Sequence, residues 1–283
     1  VSAELVKIVP PSIPLILYGV SAEVSLGELF IAGFGPGLLI AGALAVTVVV
    51  WSRMTGWGAG DGLDRLPVMT ATRRAFASLM LPVVVLGGIY GGVFTPTEAS
   101  VVAVVAALMI GFGVHRELKL RDLPVIFRKS VISSAVIMFI IAAAGLFSYL
   151  ITQAGVPAAL GRFLADTFAG PLGFLVAVNI VLFLVGMFIE TSASIIVLAP
   201  ILAPVAISFG IDPVHFGIIM MLNLGIGLVT PPVGSVLFVG SAVGKVPVED
   251  AVKTIWPFYG ALVVALLFIT FVPALSLTLP NFF

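Results

Sequence analysis

Long apolar runs separated by short polar links fill this chain. Uninterrupted apolar stretches occupy 29–51, 75–94, 99–114, 131–153, 171–189, 194–208 and 258–277. A ~30 Å hydrocarbon core needs about 20 helical residues, and several of these runs supply them. The pattern predicts an all-α polytopic membrane protein. Three links carry the polar residues: 53–74, with Arg53, Asp61, Asp64, Arg65, Arg73 and Arg74; 115–129, with Arg116, Lys119, Arg121, Arg128 and Lys129; and 245–253, with Glu249 and Asp250. The second reads as a basic surface helix in the headgroups, the third as an interfacial helix. Thr95-Pro96-Thr97-Glu98 reads as a turn and helix start.

Two apolar segments are interrupted by paired prolines, at Pro10-Pro11 and at Thr230-Pro231-Pro232. Each proline removes a backbone donor and clashes with the preceding turn, and the residue before it is pushed out of the α region. Helix, irregular link, helix is therefore expected over 10–20 and 223–240. In lipid such a break is tolerated only where protein or a water-filled cavity satisfies the freed groups. A kink that merely shapes packing is the plainer alternative. Broken helices near the bilayer midplane are also where secondary transporters hold substrate and ions.

The two breaks belong to a weak repeat. Shifted by 221 positions, 10–36 aligns without gaps on 231–257, pairing Pro10, Pro11, Gly19, Glu28 and Pro36 with Pro231, Pro232, Gly240, Glu249 and Pro257. Placing the basic links 53–74 and 115–129 in the cytoplasm makes the chain cross the first break outward and the second inward. An inverted repeat with a broken helix in each half is expected, the signature of alternating access. The same count puts 154–170, 209–213 and the C-terminal end outside.

Composition sharpens this reading. Of 283 residues 61% are hydrophobic and 9% charged, with mean hydropathy +1.29, against roughly 25% charge in soluble domains. Net charge is zero, so nothing points to nucleic acid. There is no cysteine, and His115 and His215 are far apart. Disulfides, thiolate sites and a histidine metal cluster are excluded. No Gly-x-x-x-x-Gly-Lys loop is present, so ATP is not the expected energy source, and no catalytic triad or carboxylate pair points to hydrolysis. The chain starts at Val1 and runs at once into Pro10-Pro11; an N-terminal part of a larger protein is expected before it.

The remaining polar groups at membrane depth form two sets. One is Glu190-Thr191-Ser192-Ala193-Ser194, between apolar arms at 171–189 and 194–208. The arms either cross and return or form a re-entrant hairpin; the short second arm favours the hairpin. Glu190 is a functional candidate by its depth, or a solvated interfacial carboxylate. The hydroxyls that follow it are candidates to cap the second arm. The other set is the second break: Asn223, Thr230 and the carbonyls of 225–229, with Gly225, Gly227 and Gly234 allowing close backbone approach. A helix C-terminus suits a small hard cation such as Na⁺, and the N-terminus that follows suits a carboxylate. The cation-ligand candidates are Glu190, Ser194, Asn223, Gly225 and Thr230. The substrate candidates are Ser12, Thr191, Ser192, Pro232, Val233 and Gly234. No Lys or Arg lies inside a clear span, so an anion would rest on helix ends and hydroxyls.

At GGIYGGVFTPTEAS (87–100), FIETSASIIVLAPI (188–201), GIDPVHFGIIMMLNLGIGLVTPPVG (210–234) and PPSIPLILYGV (10–20), the chain resembles the large membrane subunit of the tripartite ATP-independent periplasmic (TRAP) transporters, of the ion-transporter superfamily. The resemblance runs over nearly its whole length. It implies an elevator-type, Na⁺-driven carrier in the bacterial inner membrane, importing carboxylates or acidic sugars. A small four-helix membrane subunit (Q) and a periplasmic substrate-binding protein (P) would be its partners. It implies three segments: 1–52, with the first broken helix; 53–153, scaffold and arm spans; and 154–283, with a hairpin at 171–208, a second broken helix at 213–244 and a last span. Family members place Asp or Asn-like residues near the hairpin tip where this chain has Glu190, and carry scaffold helices and a first hairpin ahead of Pro10-Pro11. Half of the first ion site would lie there, so this chain alone is expected to be transport-incompetent. A Na⁺/dicarboxylate symporter without a binding protein and a non-transporting scaffold are the competing readings.

Overall fold

The computed structural model describes residues 5–56, 67–167, 170–231, 234–244 and 246–282. All regular structure among them is helical: α1 (Leu5–Ile8), α2 (Ile13–Ala22), α3 (Leu26–Thr55), α4 (Val68–Tyr90), α5 (Pro96–Met109), α6 (Leu123–Gln153), α7 (Val156–Thr167), α8 (Pro171–Phe188), α9 (Thr191–Ser208), α10 (Pro213–Leu228), α11 (Ser235–Gly244), α12 (Val248–Phe271) and α13 (Ala274–Leu277). Among the described residues, six helical stretches are long and apolar enough to cross a membrane: α3, α5 with the π-helical turn that follows it, most of α6, α8, α9 and α12. The chain is a multi-pass α-helical membrane protein.

Contacts divide the chain into two units, one of residues 1–56 with 141–283 and one of 57–140. In the second, Thr95 caps α5 as the Thr-Pro-Thr-Glu pattern anticipates. Its hydroxyl accepts from Glu98 N at 3.3 Å, and Glu98 Oε2 accepts from Thr95 N at 2.8 Å, a reciprocal capping box. His115 Nε2 lies 3.1 Å from Ser78 Oγ. The surface helix expected over 115–129 is absent. Residues 116–119 are non-helical, 120–122 form one 3₁₀ turn, and α6 then runs unbroken to Gln153. Pro124 sits in the first turn, where a proline starts a helix rather than stopping one, and nothing breaks the run after it.

The first unit is organised around α10, buried along its whole length from Val214 to Leu228. It is apolar on every side but for His215 and Asn223, as a helix enclosed by others must be. Asp212 starts it, accepting from Val214 N at 2.8 Å and His215 N at 3.2 Å, with Pro213 at the first helical position. Helices α8, α9, α3, α2 and α12 pack around it.

Both proline breaks are present. Residues 9–12 separate α1 from α2, and 229–234 separate α10 from α11. Beyond each break the element order repeats: a ten-residue helix, α2 or α11, then a long helix, α3 or α12, with a glutamate in its first turn and a proline inside. Of the interfacial helix expected at 245–253, residues 248–253 are instead the start of α12, and Lys245 lies outside the described residues. A single proline, Pro257, does not stop a membrane helix whose neighbours can re-satisfy the freed carbonyl. That helix ends at Phe271, earlier than the apolar run implied, because Pro273 closes it.

Candidate functional site

The site is built by two helices that run side by side and stop together. Phe174 of α8 meets Phe216 of α10 with ring centroids 6.2 Å apart. Further along, Asn223 Nδ2 donates to Asn179 Oδ1 at 2.7 Å. Further still, Gly186 and Gly227 are in backbone contact: a Cβ on Gly227 would lie 2.5 Å from Gly186 C, and one on Gly186 would lie 2.8 Å from Leu224 O. Contacts that climb in the same sense make α8 and α10 parallel. Lipid gives helices no hydrophobic drive to associate, so small residues that let backbones close in carry this packing. Helix α8 ends two residues past Gly186 and α10 one residue past Gly227. Two helix C-termini, each worth about half a negative charge, therefore share one place.

Helix α9 begins at the same place, because only Ile189 and Glu190 separate it from α8. Glu190 is its N-cap. The carboxylate Oε2 accepts from Ser192 N at 2.7 Å and Ala193 N at 3.2 Å, and Oε1 accepts from Ser192 Oγ at 3.1 Å. The cap is thus the carboxylate, and the hydroxyl expected to serve the amides serves the carboxylate instead. With this cap α9 gains three residues over the expected arm and reaches 18, long enough to cross by length alone. Glu190→Gln keeps the acceptor and removes the charge at the positive helix end. We expect it to lower the thermal midpoint of the purified permease modestly, by about 1 kcal/mol or less; a Glu190→Ala loss no greater than that of Gln would argue against the cap.

The first break reaches the same junction. Lys7 O would receive the amide of residue 11, but residue 11 is proline; Ser12 Oγ donates to it instead. Ser12 therefore closes α1 rather than capping α2. Lys7 Nζ lies 3.4 Å from Thr191 Oγ1. From there α2 runs back along α10 to its start, where Tyr18 OH donates to Pro213 O at 2.7 Å and its ring covers Gly217. Helix α2 is therefore antiparallel to α10.

At the second break, Pro231 and Pro232 lack the amides that would close on Gly227 O and Leu228 O. Gly227 O takes Thr230 N at 2.8 Å, while Thr230 Oγ1 donates to Ile226 O at 2.7 Å. The lone pairs of that hydroxyl stay available. Gly234, at φ +31, folds back so closely that a Cβ would sit 3.0 Å from Thr230 O and 3.3 Å from Leu228 O. Of the substrate candidates, Pro232 and Val233 lie outside the described residues.

Thus Glu190, Thr191, Ser192, Ser194, Ser12 and Lys7 converge on the start of α9, and Thr230 and Gly234 on the end of α10. Asn223 and Gly225 lie further back. Asn223 is about two turns before Thr230, enclosed between α10 and α8, and also donates to Ile219 O at 3.0 Å. Asn179 Oδ1 accepts there from Thr270 Oγ1 at 3.3 Å, and His215 Nε2 lies 3.4 Å from Thr270 O. Asn179 and Thr270 escape notice in the sequence because each is a lone polar residue in an apolar run. Lys7 could have been found: it stands four residues before Pro11, at the carbonyl the proline orphans. Among the described residues no three His, Asp or Glu side chains converge on a metal position. A site at the junction would use carbonyl and hydroxyl oxygens, the donors hard cations prefer.

Comparison with known proteins gives the family of the chain. The family model described as "Tripartite ATP-independent periplasmic transporter, DctM component" matches residues 1–275. The C4-dicarboxylate TRAP transporter large permease protein DctM of Pseudomonas aeruginosa is 41% identical over 274 residues, 97% of this chain and 64% of that protein. The isethionate TRAP transporter permease protein DctMQ of Oleidesulfovibrio alaskensis is 40% identical over 271 residues, 95% of this chain and 42% of that protein. The sialic acid TRAP transporter large permease protein SiaM of Vibrio cholerae is 37% identical over 276 residues, 98% of this chain and 65% of that protein. The chain spans less than two thirds of the length of each of these relatives. Matched along nearly its whole length, it belongs to the DctM component family of the tripartite ATP-independent periplasmic transporters, whose members are transport proteins.

Proposed function

We propose that this chain is the membrane-embedded part of a Na⁺-driven permease that brings a small organic anion across the bacterial inner membrane by an elevator motion. The observation that carries this reading is the junction itself. Two helix C-termini, α8 and α10, meet at the Gly186–Gly227 contact, and the N-terminus of α9 opens two residues away. Negative and positive helix ends lie together, so a cation and an anion each find a partner there. Thr230 Oγ1 and the carbonyls ending α10 hold Na⁺, with Gly234 bringing its backbone against them. Of the hydroxyls at the start of α9, that of Thr191 serves the anion; those of Ser12 and Ser192 are given to Lys7 O and to Glu190 Oε1.

The parallel run of α8 and α10 supports a re-entrant hairpin. If α10 and α11 together make one crossing, the α8–α9 junction lies level with their break. The opposite sense of α2 and α10 supports inverted repeats. The names of the relatives support the cargo class: C4-dicarboxylate, isethionate and sialic acid are organic anions. A tripartite family, with one relative named as a joined DctMQ, supports a Q subunit and a periplasmic binding protein as partners.

The test is uptake by the complete transporter in proteoliposomes. Labelled solute should enter with an inward Na⁺ gradient when the cognate binding protein is present, and counterflow should need that protein. Thr230→Val removes one neutral oxygen ligand. Its half-saturating Na⁺ should rise about ten-fold, equivalent to roughly 1.4 kcal/mol, with a smaller change in solute KM at saturating Na⁺. Uptake indifferent to the Na⁺ gradient would end this reading.

A further inference from the structure

The link from α5 into α6 gathers charge far from the junction. Residues 115–129 carry five cations, Arg116, Lys119, Arg121, Arg128 and Lys129, against two acids, Glu117 and Asp122. All five cations are exposed. Asp122 is used locally: its Oδ2 accepts from Lys119 N at 3.1 Å, and its Oδ1 lies 3.9 Å from Arg121 Nε. Among the described residues no ion pair holds Arg116, Lys119, Arg128 or Lys129.

The link is tied down at several points. His115 Nε2 lies 3.1 Å from Ser78 Oγ of α4. Arg116, at φ +54, turns the chain out of the π-helical turn, and Leu118 N donates back to Gly111 O at 3.3 Å. Helix α6 then sets the depth. Its 31 residues make about 46 Å of helix, well beyond a ~30 Å hydrocarbon core. The apolar run 131–153 supplies the crossing. Arg128, Lys129 and the link before them therefore stand at the level of the headgroups.

Apolar side chains lie among these charges. Leu120, between Lys119 and Arg121, is 77% exposed, and Val125 and Phe127 are 56% and 54% exposed. A soluble anion would meet the cations and leave this apolar surface in water. A phospholipid meets both, with its phosphate on the cations and its acyl chains on the apolar side chains.

We propose that the link 115–122 and the first two turns of α6 form a docking surface for anionic phospholipid. Arg116, Lys119, Arg128 and Lys129 take the headgroup phosphate, and Leu120, Val125 and Phe127 take the acyl chains. The occupant belongs to the surrounding bilayer, so the surface does not depend on what the chain carries.

The experiment uses the purified complete transporter, stripped of co-purified lipid in detergent and heated with added phosphatidylglycerol or phosphatidylcholine. Phosphatidylglycerol should raise the thermal midpoint and phosphatidylcholine much less. The phosphatidylglycerol concentration giving half the rise should increase about five-fold in Arg128→Gln or Lys129→Gln, and again when both are combined. Arg128→Lys should stay near the parent. Leu120→Ser, with every cation kept, should weaken the response several-fold. Glycerol 3-phosphate, a headgroup without chains, should neither raise the midpoint nor compete. Glutamine variants that respond like the parent overturn the proposal. So does an equal response to phosphatidylcholine, which would mean an apolar surface alone, or an equal response to glycerol 3-phosphate, which would mean a soluble anion. A parent indifferent to both lipids would mean that protein covers this face, and the proposal falls.

Discussion

Replacing Gly227 with alanine is expected to abolish most Na⁺-driven uptake and to destabilise the permease by about 3 kcal/mol, the upper part of the range for overpacking. The added methyl would fall 2.5 Å from Gly186 C and 2.7 Å from Gly186 Cα. Carbon contacts settle near 3.5 Å, so the helices must part by roughly 1 Å. The obstacle is backbone, which cannot swing away as a flexible side chain can. Parting α8 from α10 also separates the two C-termini and moves the Thr230 hydroxyl from the α8–α9 junction, so cation affinity falls along with stability. Gly186→Ala, aimed at Leu224 O at 2.8 Å, should behave alike. By contrast Gly42, with nothing within 4 Å of an added Cβ, should accept alanine with no loss. Thermal unfolding of the purified permease and proteoliposome uptake, measured on all three, check this. A Gly227→Ala protein as stable as Gly42→Ala would show that the close crossing is absent.

Asn223→Leu is expected to cost about 2 kcal/mol of stability, and Asn179→Leu a similar amount, while the double replacement loses less than the sum. Asn223 is fully enclosed, and its amide supplies the 2.7 Å bond to Asn179 Oδ1. Removing one partner leaves a buried acceptor short of a donor, whereas removing both removes the need. Single interhelical hydrogen bonds in membranes average only about 0.6 kcal/mol. Asn179 also receives Thr270 Oγ1, so Asn179→Leu unties three helices at once, while Asn223→Leu unties α8 from α10 and leaves the bond to α12. The bond has a second role. In an apolar helix pair a single asparagine fixes register, and the register of α8 against α10 is what brings their ends level. A double-mutant cycle on unfolding should give a coupling near 1 kcal/mol; strict additivity would mean the two amides do not act as a pair.

Glu190 and Lys7 mark the limits of reading the chain alone. The carboxylate was legible as a junction residue because it interrupts an apolar run and precedes three small polar residues. Its work as the cap was not, since glutamate is an unusual N-cap and hydroxyls stood ready beside it. Lys7 was passed over because it lies outside any long apolar run, although the Pro11 that orphans its carbonyl was in plain view. The misplaced boundaries at 115–129 and 245–253 share one cause. Charge and proline point to helix ends, yet Arg128, Lys129 and Pro257 all sit inside continuous helices.

What the sequence determined by itself was everything carried by backbone chemistry and by length. Apolar runs of sufficient length dictate membrane helices, and missing amides at paired prolines dictate breaks wherever those prolines stand. The 221-residue offset already pairs those breaks. Tertiary structure alone decided which helix ends share a place. That outcome hangs on contacts between residues far apart in the chain: Gly186 on Gly227, Asn179 on Asn223, Lys7 on Thr191. A glycine that lets two backbones touch looks, in a row of letters, like any other of the 30 in this chain, because what distinguishes it is the neighbour that packing delivers.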